Sequence, residues 1–277
     1  MPAMIIDFHC HSNASDGVLS PLELWQAAAD AGIEQFAVTD HDTLAGYLQM
    51  REQAPANAMQ LRSGVELSCV WSKTTIHIVG LDFDPEHAAM QEAMKLLQQA
   101  RVSRAQAIAE RLQKCGFSGA LEGAQRHAGT SQIGRPHFAA WMVAQGHSKD
   151  IGSAFDKYLG AGKVGDMKAF WPSLQQATEW IVSAGGVAIL AHPLKYRFTN
   201  MKLRRLLEAF CTSGGKAIEV YSGRQTEDRT RYLAKLAADY ELLMSAGSDF
   251  HRAFEYGPRL GVDVDRLPPG IGLWSQA

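Results

Sequence analysis

Two histidines separated by one residue, His9 and His11, have the type and spacing that most directly indicate chemistry in this chain. They follow a short apolar run that begins near Met4 and predicts a β-strand. Side chains alternate between the two faces of a strand, so both imidazoles project to the same side. Imidazole nitrogen is a common ligand of zinc and of other transition metals. The pair therefore predicts a metal site, and Cys10 between them is expected to point away from it.

Further residues with ligand-competent side chains follow or lie within other apolar runs. Asp249 and His251 repeat the spacing of the first pair near the end of the chain. Asp40 and His41 are adjacent and diverge on an extended backbone, so His41 is expected to contact metal while Asp40 lies behind it or caps the next helix. Together these residues predict more than one metal ion. The complete set consists of His9, His11, Asp16, His41, Glu66, His77, His192, Asp249 and His251.

The elements that would position these side chains alternate between strands and helices. Ser20, Pro21 and Glu23 form a helix-start signature after the first strand. Such alternation implies parallel pairing through helical crossovers, with reactive side chains gathered at the carboxyl ends of the strands. The predicted fold class is therefore α/β. The predicted strands span residues 4–8, 33–39, 61–66, 75–81, 186–191, 216–220 and 242–247.

The strand signal disappears between residues 86 and 165, where helical runs take its place. We therefore predict one α/β domain, formed by residues 1–85 and 166–277, that is interrupted by a helical insertion at residues 86–165. This insertion would act as a lid with cationic contacts, whereas its arginines before position 120 are expected to occupy a solvated helix face. The cationic side chains of the insertion are Arg101, Arg104, Arg111, Arg126, Arg135, His137 and Lys163.

Composition excludes several broad classes of protein. The 277 residues include 46% hydrophobic and 20% charged residues, which is typical of a globular protein rather than a disordered one. The net charge of −2 provides no general attraction for nucleic acid or for an anionic membrane, so phosphate binding would depend on local cations and metal. Four scattered cysteines without a C-x-x-C pair, and no apolar run of about 20 residues, predict a reduced cytoplasmic protein without membrane association.

Five ordered strings of this sequence resemble motifs of the PHP superfamily, which is named for polymerase and histidinol phosphatase domains. The strings are DFHCHS at 7–12, TDHD at 39–42, GVELS at 64–68, AHP at 191–193 and GSDFH at 247–251. Their order and spacing are similar to those of the small stand-alone phosphoesterases of the superfamily. The resemblance covers nearly the whole chain and is far more specific for the superfamily than for a substrate.

This resemblance implies a distorted (βα)7 barrel with a helical insertion and a site for three divalent ions. It implies that His9, His11, Glu66 and Asp249 surround the first ion and that Glu66 bridges to a second ion held by His77 and His192. Asp16, His41 and His251 would hold the third ion. Manganese is the expected metal, with iron or zinc as alternatives. All nine positions carry ligand-competent residues here, which implies an enzyme rather than a degenerate module.

The activity implied by the resemblance is hydrolysis of the 3′-phosphate of nucleoside 3′,5′-bisphosphates through attack by a metal-bound hydroxide. His192 and Asp249 are the candidate catalytic residues, but a ligand bound to metal is a poor free base, so the general acid stays unassigned. One alternative is a 5′-3′ exoribonuclease acting on short RNA, and a second is a non-catalytic metal-stabilised module. Histidinol phosphate is a further possible substrate, and no obligate protein partner is predicted.

A second phosphate group of the substrate requires cations away from the metal ions. Arg135 and His137 lie in a Gly-Arg-Pro-His string that would place a guanidinium and free backbone donors at a helix start, although a plain helix cap is an equal alternative. The other candidates for substrate binding follow strand-like or loop segments. They are Lys168, Arg197, Ser222 and Arg224.

Overall fold

The computed structural model describes residues 4–56, 58–253, 255 and 257–276. Its helices are α1 (Pro21–Asp30), α2 (Ala45–Gln53), α3 (Ala88–Lys114), α4 (Ala120–Ala128), α5 (Arg135–Ala144), α6 (Ile151–Ala154), α7 (Leu174–Ser183), α8 (Asn200–Thr212) and α9 (Glu227–Asp239). Its strands are β1 (Ile5–Asp7), β2 (Gln35–Phe36), β3 (Gln60–Leu61), β4 (Gly64–Trp71), β5 (Thr74–Leu81), β6 (Val187–Leu190), β7 (Ala217–Ser222), β8 (Leu243–Gly247) and β9 (Val262–Asp263).

Helix α1 begins where the sequence predicts. The backbone N–H of Glu23 donates to Ser20 Oγ over 3.3 Å, and the backbone N–H of Ser20 donates to the Glu23 carboxylate over 2.8 Å. This reciprocal capping box satisfies two donors that the first helical turn would otherwise leave unpaired. Leu24 and Ala28 are buried on the inner face of the helix, and Pro21 occupies its first turn.

The strands form one sheet in the order β3-β2-β1-β9 and a second sheet in the order β4-β5-β6-β7-β8. The expectation of purely parallel pairing is wrong, because β5 pairs antiparallel with both β4 and β6, and β1 pairs antiparallel with β9. A two-residue turn of Ser72 and Lys73, with φ of 46° and 61°, connects β4 to β5. Two left-handed residues match the right-handed twist of the flanking strands, which favours a hairpin over a crossover.

The mixed α/β class is confirmed, whereas a closed (βα)7 barrel is not, since the sheets formed by the described residues are open. Isolated bridges join the segments that follow the strands. Cys10 pairs with Phe250 beyond the ends of β1 and β8, and His41 pairs with Glu66 of β4. Several of the predicted metal ligands lie in or next to these bridged segments.

The chain divides into two compact units. The first comprises Met1–Met94 with Pro172–Ala277, and the second comprises Lys95–Trp171. The predicted helical insertion overlaps most of the second unit, and its role as a lid stays a prediction. In the first unit, a core that includes Ile6 and Phe8 packs against the sheets.

The second unit has its own core, which includes Phe138 and Trp141. Arg101 and Arg104 are buried in it, so the expectation that they occupy a solvated helix face is wrong. Arg101 donates to the Ile133 carbonyl over 3.2 Å, and Arg104 donates to the Met167 carbonyl over 2.8 Å. Long apolar stems allow arginines to be buried when their donors are satisfied in this way.

The structure bears on two expectations drawn from composition, one about membrane-spanning segments and one about the cysteines. Among the described residues, no helix combines the length and the apolar character needed to cross a bilayer. All four cysteines carry free thiols. Cys10 is buried and its Sγ lies 3.4 Å from the Ala37 carbonyl, as expected for a side chain that points away from its two histidine neighbours.

Candidate metal centre and active site

The structure brings all nine predicted metal ligands into one neighbourhood. Their ligand atoms form overlapping groups in which every atom lies within 4.8 Å of the others. We call this set of nine side chains the metal cluster. The groups are His11, Asp16, His41 and His251; His9, His192 and Asp249; His9, His11 and Glu66; and His41, Glu66 and His77.

Glu66 lies at the centre of the metal cluster. It projects from β4, and its side chain is buried. A carboxylate has two oxygens, so one that reaches several imidazoles can bridge neighbouring cations. Its oxygens lie 2.9 to 3.4 Å from ring nitrogens of His9, His11, His41, His77 and His192.

Electrostatics in the cluster favour an ionised Glu66 carboxylate and neutral rings at His11 and His77. At His9, burial would lower the pKa of the ring, but the Glu219 and Glu66 carboxylates outweigh burial and raise that pKa to about 10. Burial alone would raise the pKa of Glu66, but His41 and His77 hold that pKa well below its usual range. Burial lowers the pKa of His11 well below its ordinary value, and His251 reinforces the effect. Burial also lowers the pKa of His77 to about 4. Ionised carboxylate and neutral imidazole are the forms that bind metal ions.

Buried polar atoms of the cluster provide a direct test of whether metal ions fit. Buried polar atoms almost always have a hydrogen-bond partner, so each exception requires an explanation. Seven atoms of the cluster make no hydrogen bond of suitable angle within the part of the chain that the structure describes, although some lie only 2.9 Å from another polar atom of the cluster. Divalent cations would satisfy them. The seven atoms are His9 Nε2, His11 Nδ1, His11 Nε2, His41 Nδ1, Glu66 Oε2, His77 Nδ1 and His192 Nδ1.

Two members of the cluster have a strained backbone. His192 has a φ of 28° and Asp249 a φ of 52°, which places both in the left-handed region that non-glycine residues rarely adopt. The backbone N–H of Asp249 donates to the His9 carbonyl over 2.6 Å, which helps to hold this conformation. Strain of this kind is concentrated at functional sites, where the surrounding structure maintains it.

Asp40 supports the cluster from behind, as its position next to His41 predicts. Its carboxylate accepts hydrogen bonds from the Ser12 backbone N–H over 2.8 Å, from Ser12 Oγ over 2.6 Å and from Ser15 Oγ over 2.7 Å. Burial raises the pKa of Asp40 to about 6. These bonds fix the loop that carries Asp16.

A cavity of about 610 Å³ adjoins the metal cluster, and we call it the arginine cavity. His192 and Asp249 contribute to its lining, as do the predicted substrate-binding residues Arg197, Ser222 and Arg224. Four further polar residues of the lining were not predicted as site residues from the sequence. They are Lys195, Gln225, Arg229 and Ser248.

Positive charge dominates the lining of the arginine cavity, since Asp249 is the single acidic residue among the described residues that line it. Among the described residues, Arg197 and Arg229 have no ion-pair partner, while Lys195 contacts the Asp249 carboxylate. Ser222 Oγ is buried and finds no hydrogen-bond partner in the described ranges. Lys195 follows His192 by three residues in a short 3-10 helix, and that spacing is the one local signal that could have identified it.

The other predicted substrate-binding residues, Arg135, His137 and Lys168, belong to the second unit. Arg135 donates to the Leu159 carbonyl over 3.2 Å, and Lys168 lies 2.8 Å from Asp166. His137 Nδ1 accepts a hydrogen bond from the Gly134 backbone N–H over 3.0 Å, which closes the first turn of α5. Their roles in substrate binding stay predictions.

Comparison with known proteins gives the class of this chain. A family model described as the PHP domain matches residues 7–186, and the chain belongs to that family. A solved structure from Bifidobacterium adolescentis, described as a metal-dependent phosphoesterase, shares its fold with a TM-score of 0.80 at 26% identity, over 97% of both chains. An amidohydrolase from Chromobacterium violaceum, solved with bound sulfate and no metal, superimposes with a TM-score of 0.85 at 36% identity, over 98% of this chain and 95% of that chain.

Two relatives of similar length carry the names of enzymes that act on phosphate esters. The chain is 40% identical to a 5′-3′ exoribonuclease of Haemophilus influenzae, over 98% of both chains. It is 38% identical to a 3′,5′-nucleoside bisphosphate phosphatase of Chromobacterium violaceum, over 98% of this chain and 95% of that protein. The chain is therefore a metal-dependent phosphoesterase. Relatives with two different activities show similar identity, so identity alone does not select the substrate.

Proposed function

We propose that this enzyme removes the 3′-phosphate from nucleoside 3′,5′-bisphosphates. The observation that carries the proposal is the arginine cavity beside the metal cluster. A volume of about 610 Å³ lies within the range of about 300 to 1,000 Å³ that is usual for small-molecule sites. The cavity offers a second set of cations for a substrate whose first phosphate faces the cluster.

The two phosphate groups of a bisphosphate would have different environments. The 3′-phosphate would lie at the metal cluster, next to His192 and Asp249. The 5′-phosphate would lie among Arg197, Arg224 and Arg229, because guanidinium groups form strong charge-assisted hydrogen bonds with phosphate. Placing both groups at once would hold the phosphorus atom in position for the reaction.

Divalent ions bound by the cluster would polarise the phosphoryl oxygens and lower the pKa of a water molecule. The protein itself fixes the positions of the ligands and of the substrate. Lys195 lines the cavity next to Asp249, where its ammonium group would lie near the charge that develops on the phosphoryl oxygens. His192 and Asp249 act in this proposal by holding the ions rather than as free acids or bases.

Three ions with manganese as the preferred metal are part of this proposal. The support is that nine ligands form four groups that share members, which suits several neighbouring ions, and that the ligands are only nitrogen and oxygen, which suit manganese and also iron or zinc. A cytoplasmic location is also proposed, since free thiols suit a reducing compartment.

Exoribonuclease activity on short RNA is the second candidate function. A neighbouring cavity of about 550 Å³ shares Gln225 with the arginine cavity, so the two could together receive more than one nucleotide. However, the charges of the second cavity are balanced, because its Arg231 and Arg266 form ion pairs with Asp228 and Asp263. The second cavity would therefore attract further RNA phosphates only weakly, whereas the arginine cavity would attract the second phosphate of a mononucleotide.

The proposal is tested by measuring phosphate or nucleotide release from a panel of substrates with manganese added. The panel contains adenosine 3′,5′-bisphosphate, AMP, histidinol phosphate and a 5′-phosphorylated oligoribonucleotide. We expect the highest kcat/KM for the bisphosphate. Higher kcat/KM for the oligoribonucleotide would favour the exoribonuclease, and no turnover of any compound would favour a non-catalytic module.

The variant Arg197→Ala extends this test to the cavity. We expect KM for the bisphosphate to rise about 10-fold or more, since a hydrogen bond to a charged group contributes roughly 1.5 to 3 kcal/mol. KM for a simple aryl phosphate should change little, because that compound lacks the second phosphate. Arg205→Ala, on the exposed face of α8, is the matched control. Equal effects on both substrates would exclude Arg197 from recognition of the second phosphate.

A further inference from the structure

We propose that Glu219, the third residue of β7, is a positioning residue that orients His9 and His192 toward the metal ions. The inference rests on the metal-dependent function proposed above but adds a residue outside the nine predicted ligands. Glu219 is 2% exposed, and each of its carboxylate oxygens accepts one hydrogen bond from a member of the metal cluster. One carboxylate thus contacts two ligands from different strands.

The first contact determines which nitrogen His9 offers to metal. His9 Nδ1 lies 2.9 Å from Glu219 Oε1, whereas its Nε2 lies 3.3 Å from Glu66 Oε2. Glu219 Oε2 already accepts from the His192 N–H, and Glu219 Oε1 accepts from His9 when Nδ1 of that ring carries a proton. In a ring that binds metal, this leaves the Nε2 lone pair directed toward Glu66 and the centre of the cluster. Carboxylate partners of this kind fix the tautomer and ring orientation of metal-binding histidines.

The second contact holds the backbone of His192. The His192 N–H donates to Glu219 Oε2 over 2.5 Å, at a residue whose φ is 28° and ψ is 56°. A non-glycine residue stays in this region only when its surroundings impose it. In this conformation His192 Nε2 lies 2.9 Å from Glu66 Oε1. Glu219 therefore stabilises the strained backbone that carries a ligand ring to the cluster.

The local structure of β7 supports a dedicated role for Glu219. The register between the parallel strands β7 and β8 shifts between Glu219 and Tyr221, which marks a β-bulge or a similar irregularity at this position. Bulges change the direction of side chains and are frequent next to active sites. A buried carboxylate that served packing alone would not require contacts to two separate ligands.

The variant Glu219→Gln tests this inference. A glutamine has the same shape, but an NH2 group replaces one of the two oxygens, so it cannot accept a hydrogen bond at both the His9 and the His192 position. We expect the affinity for manganese, measured by calorimetry, to fall about 10- to 100-fold, as is typical for loss of an outer carboxylate partner. The melting temperature of the metal-free variant should stay close to that of the wild type. Glu208→Gln, an exposed position on α8, is the matched control.

Manganese affinity within twofold of the wild type would overturn the inference. If Glu219→Gln fails to fold, nitrogen NMR of the wild-type protein loaded with zinc decides the question. We expect a proton on His9 Nδ1 and metal at Nε2, and the reverse arrangement would refute the role assigned to Glu219. A wild-type protein that binds manganese but hydrolyses no phosphate ester would instead refute the proposed function and leave the affinity test intact.

Discussion

The metal cluster and the helical second unit differ in how their buried histidines and arginines are satisfied. In the cluster, His9 Nε2, both ring nitrogens of His11 and His77 Nδ1 are buried without hydrogen-bond partners in the described part of the chain. In the second unit, the buried guanidinium groups of Arg101 and Arg104 each donate to a backbone carbonyl, and both lie within 6 Å of the Trp171 ring centroid, at 5.6 and 5.0 Å.

This difference separates groups that serve a ligand from groups that serve the fold. An unpaired buried polar atom lowers stability, so it persists where a bound ligand later satisfies it. A buried guanidinium that donates to a loop carbonyl instead connects that loop to the helix and stabilises the unit. The histidines of the cluster and the two arginines of the second unit should therefore respond differently to substitution.

Replacement of Glu66 by glutamine should have the largest effect. It removes the charge that faces five imidazoles and replaces one bridging oxygen with a donor. Outer partners of metal ligands contribute up to about 100-fold in affinity, so loss of this central ligand should lower manganese affinity by more than that. Calorimetry with manganese provides the measurement.

Thermal unfolding provides a second measurement of the same variant. At a free manganese concentration about 100 times the Kd, binding should stabilise the wild-type protein by about 2.7 kcal/mol and raise its Tm, while Glu66→Gln should show no such rise. The Glu208→Gln protein should respond like the wild type. A normal rise in the Glu66→Gln variant would show that the cluster binds metal without its central carboxylate.

The part of the cluster that could be predicted from the sequence is the part that follows from the alternation of side chains along an extended backbone. Alternation places His9 and His11 on one side and Cys10 on the other, and the structure has this arrangement. The same rule separates Asp40 from His41. Both are local consequences of an extended backbone, so they do not depend on how the strands pair.

Features that depend on tertiary packing could not be predicted in this way. The hairpin of β4 and β5 was missed because the positive φ of Ser72 and Lys73 occurs without glycine or asparagine. Lys195 and Arg229 were missed because lysine and arginine are common on any helix, and only the fold brings them to one cavity. Arg101 and Arg104 were placed in solvent because a helical pattern does not reveal which charged stems become covered.

A smaller effect is expected from Arg104→Ala, and it should be an effect on stability. The variant leaves the Met167 carbonyl without its donor and removes the contact with Trp171. We expect the free energy of unfolding to fall by about 1 to 3 kcal/mol in urea titrations, with manganese affinity unchanged. Arg126→Ala, at an exposed position of α4, is the control and should change the free energy of unfolding by less than about 0.5 kcal/mol. An unchanged stability combined with a higher KM would instead make Arg104 a substrate contact.

The smallest effect should come from Arg135→Ala, which tests whether the helical unit contributes to substrate binding. Arg135 is partly engaged already, since it donates to the Leu159 carbonyl and lies 3.9 Å from Asp166. Because these contacts already use part of its charge and its donors, the Arg135 guanidinium should bind a phosphate less strongly than the Arg197 guanidinium does. We expect KM for adenosine 3′,5′-bisphosphate to rise about fivefold, close to the 1 kcal/mol upper limit for exposed ion pairs.

Two control measurements separate recognition from folding at this position. KM for an aryl phosphate should stay the same in Arg135→Ala, because that substrate carries no second phosphate. Arg135→Lys should restore part of the affinity if charge is what the substrate requires, but it should not restore bidentate contacts. Equal changes in KM for both substrates, or a loss of stability like that of Arg104→Ala, would assign Arg135 to the fold and leave the arginine cavity as the sole proposed site for the second phosphate.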